Sequence, residues 1–308
     1  MWKTGYYLQN FYFFLCMKVL SCTFDIIKQL HLQSIKKILV GIAFSPNLKP
    51  NIFEAVRLAN MFEAQLVGVH VGEKTIEKEQ QLSELISEAP ILKFPIKTVW
   101  QKGKPVDIIL QTSVEENIDL LILGALQQEN LYKYYVGSVA RELTRKANCS
   151  VLLLIKPSIE RVKCNHIVVN GLKDKKTIET IQASFLVSKA LACKRITIVE
   201  EISQKEIEVI VSDDHSLRKA TIEKEKLKRR EDSRVHKILE TIDTKGVSIK
   251  IQSIFGKRGY SIGHYAKVKR ADLLVMNAPS KTTILDRIFP HDIEYILTEL
   301  PTDVLIVK

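Results

Sequence analysis

Short apolar runs alternate with segments of helical spacing along the chain after residue 35. The first five apolar runs lie at residues 36–42, 65–71, 94–99, 119–124 and 150–155. Segments with helical spacing lie between them at residues 53–62, 73–86, 106–116 and 136–146. Strands that are apolar throughout, and that alternate with helices, predict a parallel sheet covered by helices on both faces.

The second part of the chain repeats this order. We predict strands at residues 166–169, 195–199, 247–253, 272–276 and 303–307, with a weaker one at 207–211. Helices are predicted at residues 176–191, 217–241, 262–269 and 284–300. The extra length of this part falls between residues 200 and 241.

The two parts also share sequence. Residues 103–155 match 256–308 without a gap, at an offset of 153 residues. The matching residues include Gly103-Lys104 with Gly256-Lys257, Asp119-Leu120-Leu121 with Asp272-Leu273-Leu274, and, at another offset, Ile38-Leu39-Val40 with Ile167-Val168-Val169. The chain is therefore predicted to hold two copies of one module, at residues 36–156 and 164–308, after an N-terminal extension of residues 1–35.

Composition and charge fit a globular protein of two such modules. Of 308 residues, 46% are hydrophobic and 26% charged, and the net charge is +11. Part of the positive charge lies at residues 217–240, where nine Lys and Arg interleave with five acids. Interleaved signs favour a solvated helix face, with polyanion binding as the weaker alternative. Because no nucleic-acid-binding motif accompanies these residues, we expect no specific nucleic-acid partner.

The five cysteines and the N-terminal extension bear on location. The cysteine count is odd and includes no Cys-x-x-Cys pair, which argues against a disulfide framework or a zinc site and favours a reducing, cytoplasmic location. The apolar, aromatic segment Tyr6–Met17 is too short to span a bilayer. It is interpreted as a disordered or loosely docked extension, or as the product of an upstream start codon with Met17 next. A weak membrane anchor is the less favoured alternative, so a membrane partner is not expected.

The loop after the fourth strand carries the main candidate for ligand binding. It begins at Gly124 and ends at Gly137-Ser138, where the next predicted helix starts. A glycine and a hydroxyl at a helix N-terminus can hold an anion, because backbone N–H groups point outward and the helix dipole favours negative charge.

Together these residues resemble the universal stress protein family, whose nucleotide-binding members carry Gly-x2-Gly-x9-Gly-(Ser/Thr) in this loop. Gly124, Gly137 and Ser138 match that pattern, and Gln127 replaces its middle glycine. Further similar stretches are Ile38-Leu39-Val40, Gly103-Lys104-Pro105, Asp119–Gly124 and Cys149–Leu153.

The resemblance implies an α/β fold of two tandem, open, parallel five-stranded sandwiches, Rossmann-like and adenine nucleotide alpha hydrolase-like. The two copies are then expected to form a pseudo-dimer within one chain, paired through their last strands, Val151–Ile155 and Val304–Val307. A homodimer is a further candidate, and protein partners stay unidentified.

The same resemblance implies which residues would contact a nucleotide in the first copy. Ser45 would touch a phosphate or the ribose, and the backbone of Val71 would meet the adenine. Gly124, Gln127, Gly137 and Ser138 would surround the phosphates. Ala43 stands where ATP-binding members place an Asp, and the Gln127 side chain fills space that the backbone needs near a phosphate.

The second copy has lost the motif. At the 153 offset its residues are Asn277, Ser280, Pro290 and His291 in place of Gly124, Gln127, Gly137 and Ser138. ATP with Mg²⁺ is therefore a candidate ligand of the first copy alone, and no cofactor is expected in the second.

Simpler interpretations compete with chemical ones at several positions. Gly137-Ser138 serves equally well as a plain helix cap. For His291-Asp292, Asp213-Asp214-His215 and Cys149, capping, solvated or packed roles are favoured over a catalytic pair, a metal cluster or a nucleophile. We therefore assign no catalytic residue and no metal ligand, and expect no enzyme activity.

Two functions follow. The favoured one is a universal stress protein that acts in the stress response as a regulatory or interaction protein, without a conventional active site and with a degenerate nucleotide site in the first copy. The alternative is an ATP-binding stress sensor that uses the first copy, with slow ATP hydrolysis. The sequence leaves the stress and the partner open.

Overall fold

The computed structural model describes residues 34–127, 134–207, 212–257, 259–278 and 292–308. The chain divides into two compact units, Met1–Ser34 and Ile35–Lys308, and the described residues belong almost entirely to the second. The predicted strand at 207–211 and the beginning of the predicted helix at 284–300 fall largely outside the described residues.

Strands and helices alternate as the apolar pattern predicts. The strands are β1 Lys37–Gly41, β2 Gln65–Val71, β3 Lys97–Gln101, β4 Leu120–Gly124, β5 Leu126–Gln127, β6 Tyr134–Tyr135, β7 Ser150–Leu154, β8 Ile167–Asn170, β9 Arg195–Ser203, β10 Ser248–Gly256, β11 Leu273–Asn277 and β12 Asp303–Val307. The helices are α1 Leu48–Phe62, α2 Ile76–Glu88, α3 Pro105–Glu115, α4 Ser138–Lys146, α5 Thr177–Leu191, α6 Asp214–Leu239, α7 Tyr260–Val268 and α8 Asp292–Thr298.

Ten of the strands form one continuous sheet. Its order is β10-β9-β8-β11-β12-β7-β4-β1-β2-β3. Neighbouring strands are parallel except β12 and β7, which pair antiparallel with Leu305 opposite Leu152. We call β1–β4 and β7 with their helices the first half, and β8–β12 with theirs the second half. The order outward from the antiparallel pair is equivalent in the two halves, and the predicted parallel α/β fold is confirmed.

Alternate residues of each central strand face opposite sides of the sheet and enter two hydrophobic layers. Leu39 and Leu121 enter one layer, whereas Ile38 and Leu120 enter the other. Each layer also contains residues of the second half, such as Leu274 in the first layer and Val275 in the second. Burial on both faces explains why these strands are apolar without alternation.

A shared aspartate anchors the start of the first strand in each half. Asp119 Oδ2 accepts hydrogen bonds from the backbone N–H groups of Lys36 and Lys37, at 2.8 and 2.9 Å. Asp272, its counterpart at the 153 offset, accepts the same pair of bonds from Asn165 and His166, again at 2.8 and 2.9 Å. The residues that repeat in the sequence therefore make the same structural contact in both halves.

The second half differs mainly in its longer β9, β10 and α6. Helix α6 has 26 residues, of which Ala220, Glu231 and Val235 are buried. It starts at Asp214, three residues before the predicted boundary, because Asp213 and Ser216 form a capping box. Within the described residues, no helix is both long and apolar enough to cross a membrane.

Candidate functional site

Three of the six residues expected to contact a nucleotide lie at one edge of the sheet. Ser45 follows β1 in an exposed turn, where its N–H donates to Ala43 O at 2.7 Å. Val71 ends β2 and pairs with Gln101 of β3. Gly124 ends β4, which is the neighbour of β1 on the other side. These positions are the carboxyl ends of adjacent parallel strands, which is where open α/β sheets bind their ligands.

Asn51 of α1 packs against Gly124. A Cβ placed on Gly124 would lie 3.1 Å from both terminal atoms of the Asn51 side chain, so this position favours a glycine. Among the described residues, the buried Oδ1 of Asn51 has no hydrogen-bond partner. The glycine motif in the sequence had identified Gly124, but nothing in the sequence had indicated that Asn51 packs against it.

The remaining three candidate residues lie in two places. One is in a short two-stranded ladder, and two are at the start of α4. Gln127 lies in β5 and pairs antiparallel with Tyr134 of β6, an element that the sequence pattern did not predict. Gly137 is the N-cap of α4, with φ −61° and ψ 162°, and Ser138 is the first, exposed residue of that helix. No side-chain cap bond is made there by the described residues.

Three aromatic rings pack together at the ends of β1, β2 and β3. The ring centroids of Phe44 and His70 are 4.9 Å apart, those of His70 and Trp100 are 5.0 Å apart, and those of Phe44 and Trp100 are 6.1 Å apart. Edge-to-face contacts of this kind stabilise the pairs beyond the area they bury. We call Phe44, His70 and Trp100 the aromatic cluster.

Hydrogen bonds fix the histidine of the aromatic cluster. His70 Nδ1 lies 2.9 Å from Ile42 O, and because a carbonyl only accepts, this nitrogen carries the proton. Nε2 is then the acceptor for Lys78 Nζ at 3.4 Å. The Lys78 ammonium also lies 5.6 Å from the Phe44 ring centroid, within cation–π range. The side chain of His70 is 7% exposed and thus belongs to a packed, polar-capped cluster.

Strand register shows what replaces the aromatic cluster in the second half. Ile38 pairs with Leu66, and its counterpart Ile167 pairs with Ile196. Four residues further along, His70 therefore corresponds to Glu200. His70 pairs with Trp100 in the first half, whereas Glu200 pairs with Ser253 in the second.

Charged side chains fill this edge of the second half. Arg234 of α6 donates from Nε to Glu231 at 2.8 Å and from Nη2 to Glu200 at 3.4 Å and to the carbonyl of Gly171. Ser253 Oγ donates to Glu200 at 3.1 Å. Burial raises the pKa of Glu200 to about 7, against the lowering effects of Ser253 and Arg234. Glu200, Glu231 and Arg234 line a cavity of about 430 Å³, together with Lys173 and Arg230.

Neighbouring polar groups have structural partners. Glu201 accepts hydrogen bonds from the N–H groups of Gly259 and Ile262, at 2.8 and 2.7 Å, at the start of α7. Asp213, which the sequence placed in a candidate metal cluster, caps α6. Within the ranges that the structure describes, no group of three His, Cys, Asp or Glu is placed to hold a metal ion. His291 lies outside those ranges.

A largely parallel sheet with helices on both faces defines a doubly wound α/β protein. The model of the universal stress protein family matches residues 73–154. A universal stress protein of Methanocaldococcus jannaschii, MJ0531, is 25% identical over 125 residues, which are 34% of this chain and 74% of that protein. The chain therefore contains a stretch that matches the universal stress protein family, at residues 73–154.

Solved structures share the fold over most of the chain. A protein of unknown function from Pseudomonas aeruginosa PAO1 has a TM-score of 0.66 at 16% identity, covering 90% of this chain and 94% of that one. A universal stress protein from Archaeoglobus fulgidus has a TM-score of 0.63 at 14% identity, covering 88% and 98%. The fold is therefore shared with other proteins over about nine tenths of this chain.

Proposed function

We propose that this chain is a tandem universal stress protein that acts in the stress response as a regulatory or interaction protein, without a conventional active site. Its two modules are residues 36–156 and 164–308. The first keeps a degenerate form of the family's nucleotide site, and the second has none. The observation that carries the proposal is the aromatic cluster of the first half.

The aromatic cluster occupies the region in which the family resemblance implies an adenine. Its three rings contact one another at the ends of β1, β2 and β3, and His70 is bonded at both nitrogens. A base could enter only if these rings separated, which would break the Ile42 and Lys78 bonds and expose aromatic surface. Ala43 adds no acceptor that could compensate by binding a ribose.

The second half supports the proposal in another way. Its equivalent edge holds Glu200 and Glu231 around Arg234. The cavity at this edge is also lined by Lys173 and Arg230, but Arg230 and Arg234 are already paired with glutamates. A nucleotide triphosphate would have to compete with these carboxylates for the arginines. The polar lining thus disfavours an anionic ligand at this edge.

Contacts across the antiparallel β7–β12 pair support the pairing of the two modules. Asp303 Oδ1 accepts the N–H of Ile155 at 2.8 Å. Arg141 and Arg145 of α4 bind Glu294 of α8, at 3.1 and 2.6 Å. Because β7 and β12 already use each other's free edges, a homodimer would need a different surface.

One observation favours the alternative, an ATP-binding sensor with slow hydrolysis. Gly137 is the N-cap of α4 and no side chain of the described residues caps the helix, so its first N–H groups could face an anion. Ser138 is exposed beside them and could donate to a phosphate oxygen. The alternative would also need Mg²⁺ to neutralise the phosphates.

Isothermal titration of the full chain with ATP and Mg²⁺ separates the two functions. The Gly137→Pro variant, which copies the second half's own Pro290, serves as the matched control. The proposal predicts no binding heat for either protein. Micromolar binding by the wild type that is lost in Gly137→Pro would replace the proposal with the sensor.

A further inference from the structure

Two cysteines that are distant in the sequence meet at the beginning of β8 and β9. Ile167 pairs with Ile196 in the parallel register of these strands. Cys164 lies three residues before Ile167, and Cys193 lies three residues before Ile196. The same register, continued back by three residues, therefore places the two cysteines opposite each other. Adjacent strands are about 4.8 Å apart, which lies inside the Cα–Cα range of about 4.4–6.8 Å that a disulfide requires.

Hydrogen bonds hold both backbones at this level. Asn165 and His166, which follow Cys164, are tied to Asp272 by the bonds described above. Cys193 N–H donates to Ser188 O at 2.9 Å, and its thiol lies 3.6 Å from Arg195 O. Two residues after Cys164, His166 Nε2 lies 2.9 Å from Oγ1 of Thr197, which follows Cys193 by four residues. The two segments therefore make side-chain contact across the strand pair.

The two thiols are free and interact with each other. The hydrogen bond with Cys164 lowers the pKa of Cys193 to about 6, although burial opposes this effect. The same contact and burial raise the pKa of Cys164. Cys193 therefore ionises first, and a thiolate beside a thiol is the arrangement from which disulfides form.

A cavity gives small oxidants a route to the pair. Its volume is about 550 Å³, and Cys164 lies in its wall together with Val187 and Leu191 of α5. Cys193 itself is 3% exposed, and its partner Cys164 is the member of the pair that lines the cavity.

We propose that Cys164 and Cys193 are a redox-active pair that closes to a reversible disulfide when the protein meets hydrogen peroxide. The Cys193 thiolate attacks one peroxide oxygen, the O–O bond breaks, and a sulfenic acid and hydroxide form. The hydroxide takes up the proton that the Cys193 thiol released on ionising and becomes water. Cys164 then attacks the Cys193 sulfur, the S–O bond breaks, and its proton leaves with the oxygen as water. In total, two thiols and one peroxide give one disulfide and two waters, with two electrons passing from sulfur to oxygen.

The disulfide would tie the connection between the halves to the end of α5. It closes a loop that contains all of α5, and cross-links of this kind stabilise mainly by restricting the unfolded chain. We expect the unfolding temperature of the oxidised protein to rise by about 5 °C or more.

Peptide mapping of the full chain tests the proposal. The protein is treated with hydrogen peroxide, alkylated while denatured, digested without reduction and analysed by mass spectrometry. We expect a cross-linked peptide that joins Cys164 to Cys193 and that dithiothreitol separates. The free thiols should fall by two, from the five in the sequence.

Cys149 is the internal control. It is 8% exposed, and burial raises the pKa of its thiol to about 11, so it should remain alkylatable after the treatment. The Cys149→Ser variant should keep the cross-link, and the Cys193→Ser variant should lose it. Full alkylation of both Cys164 and Cys193 in the treated wild type would overturn the proposal, as would cross-links to Cys16 or Cys22 in place of this one.

Discussion

The carboxyl group of Asp303 should make the stability of the protein depend on pH. Asp303 begins β12, where its Oδ1 accepts the N–H of Ile155 from the first half. Burial raises the pKa of Asp303 from 3.8 to about 7, and the nearby charges of Glu54 and Asp272 add to the effect. The Asp303→Asn substitution removes the charge and keeps an oxygen that can accept the same bond.

The pKa shift sets the size of the effect. Between about pH 4 and pH 7 the folded protein holds a proton that the unfolded chain has released, so the stability due to this group falls as pH rises through that window. A shift of about three units corresponds to about 4 kcal/mol above pH 7. Asp303 also lines the 550 Å³ cavity, where water would screen its charge. We therefore expect about half of that value, roughly 2 kcal/mol.

Urea unfolding at pH 5 and pH 8 measures this effect. Asp303→Asn should be more stable than the wild type by about 2 kcal/mol at pH 8, with a smaller difference at pH 5. Asp243→Asn is the control, because Lys189 lowers the pKa of this exposed carboxyl and its loss should not stabilise the protein at pH 8. If Asp303→Asn is less stable than the wild type, and more so at pH 8, the buried charge is favourable and the reasoning is wrong.

Three further substitutions test the fold by denaturant unfolding. Glu294→Ala removes the carboxylate that binds Arg141 and Arg145 across the halves and should cost about 1–2 kcal/mol, whereas no change would mean that these ion pairs are fully screened. Asp119→Ala and Asp272→Ala each remove the acceptor of two N–H groups and should cost about 1–2 kcal/mol each; unequal costs would contradict their equivalence. Gly103→Ala should cost about 1–3 kcal/mol, because φ is +152° and a Cβ would lie 2.9 Å from the Ile108 side chain. Gly41→Ala is the control and should cost less, because a Cβ there would meet open space.

The sequence predicted most of the sheet because its strands are buried on both faces. Leu120–Gly124 and Asp303–Val307 were recognisable as short apolar runs that recur at a fixed offset. The β5–β6 ladder was not predicted, because two residues per strand leave no pattern. The start of α6 was placed three residues late, since the predicted boundary took no account of the capping box at Asp213.

The local sequence pattern could not predict which side chains meet at the carboxyl ends of the strands in either half. Phe44, His70 and Trp100 are about 30 residues apart in the sequence, and only the register of β1, β2 and β3 brings their rings together. The same holds for Glu200 and Arg234, which come from β9 and α6. The glycine spacing identified Gly124 and Gly137 as candidate phosphate-binding positions, because glycines that a backbone conformation requires recur at fixed intervals. It did not identify the side chains of the aromatic cluster.

A crystal structure of the full chain grown with ATP and Mg²⁺ tests the central claim most directly, because it shows both strand edges at once. We expect Phe44, His70 and Trp100 to remain in contact, Arg234 to remain bound to Glu200, and no nucleotide to lie at either edge. ATP bound between Val71 and Gly137, with the aromatic rings displaced, would contradict this expectation.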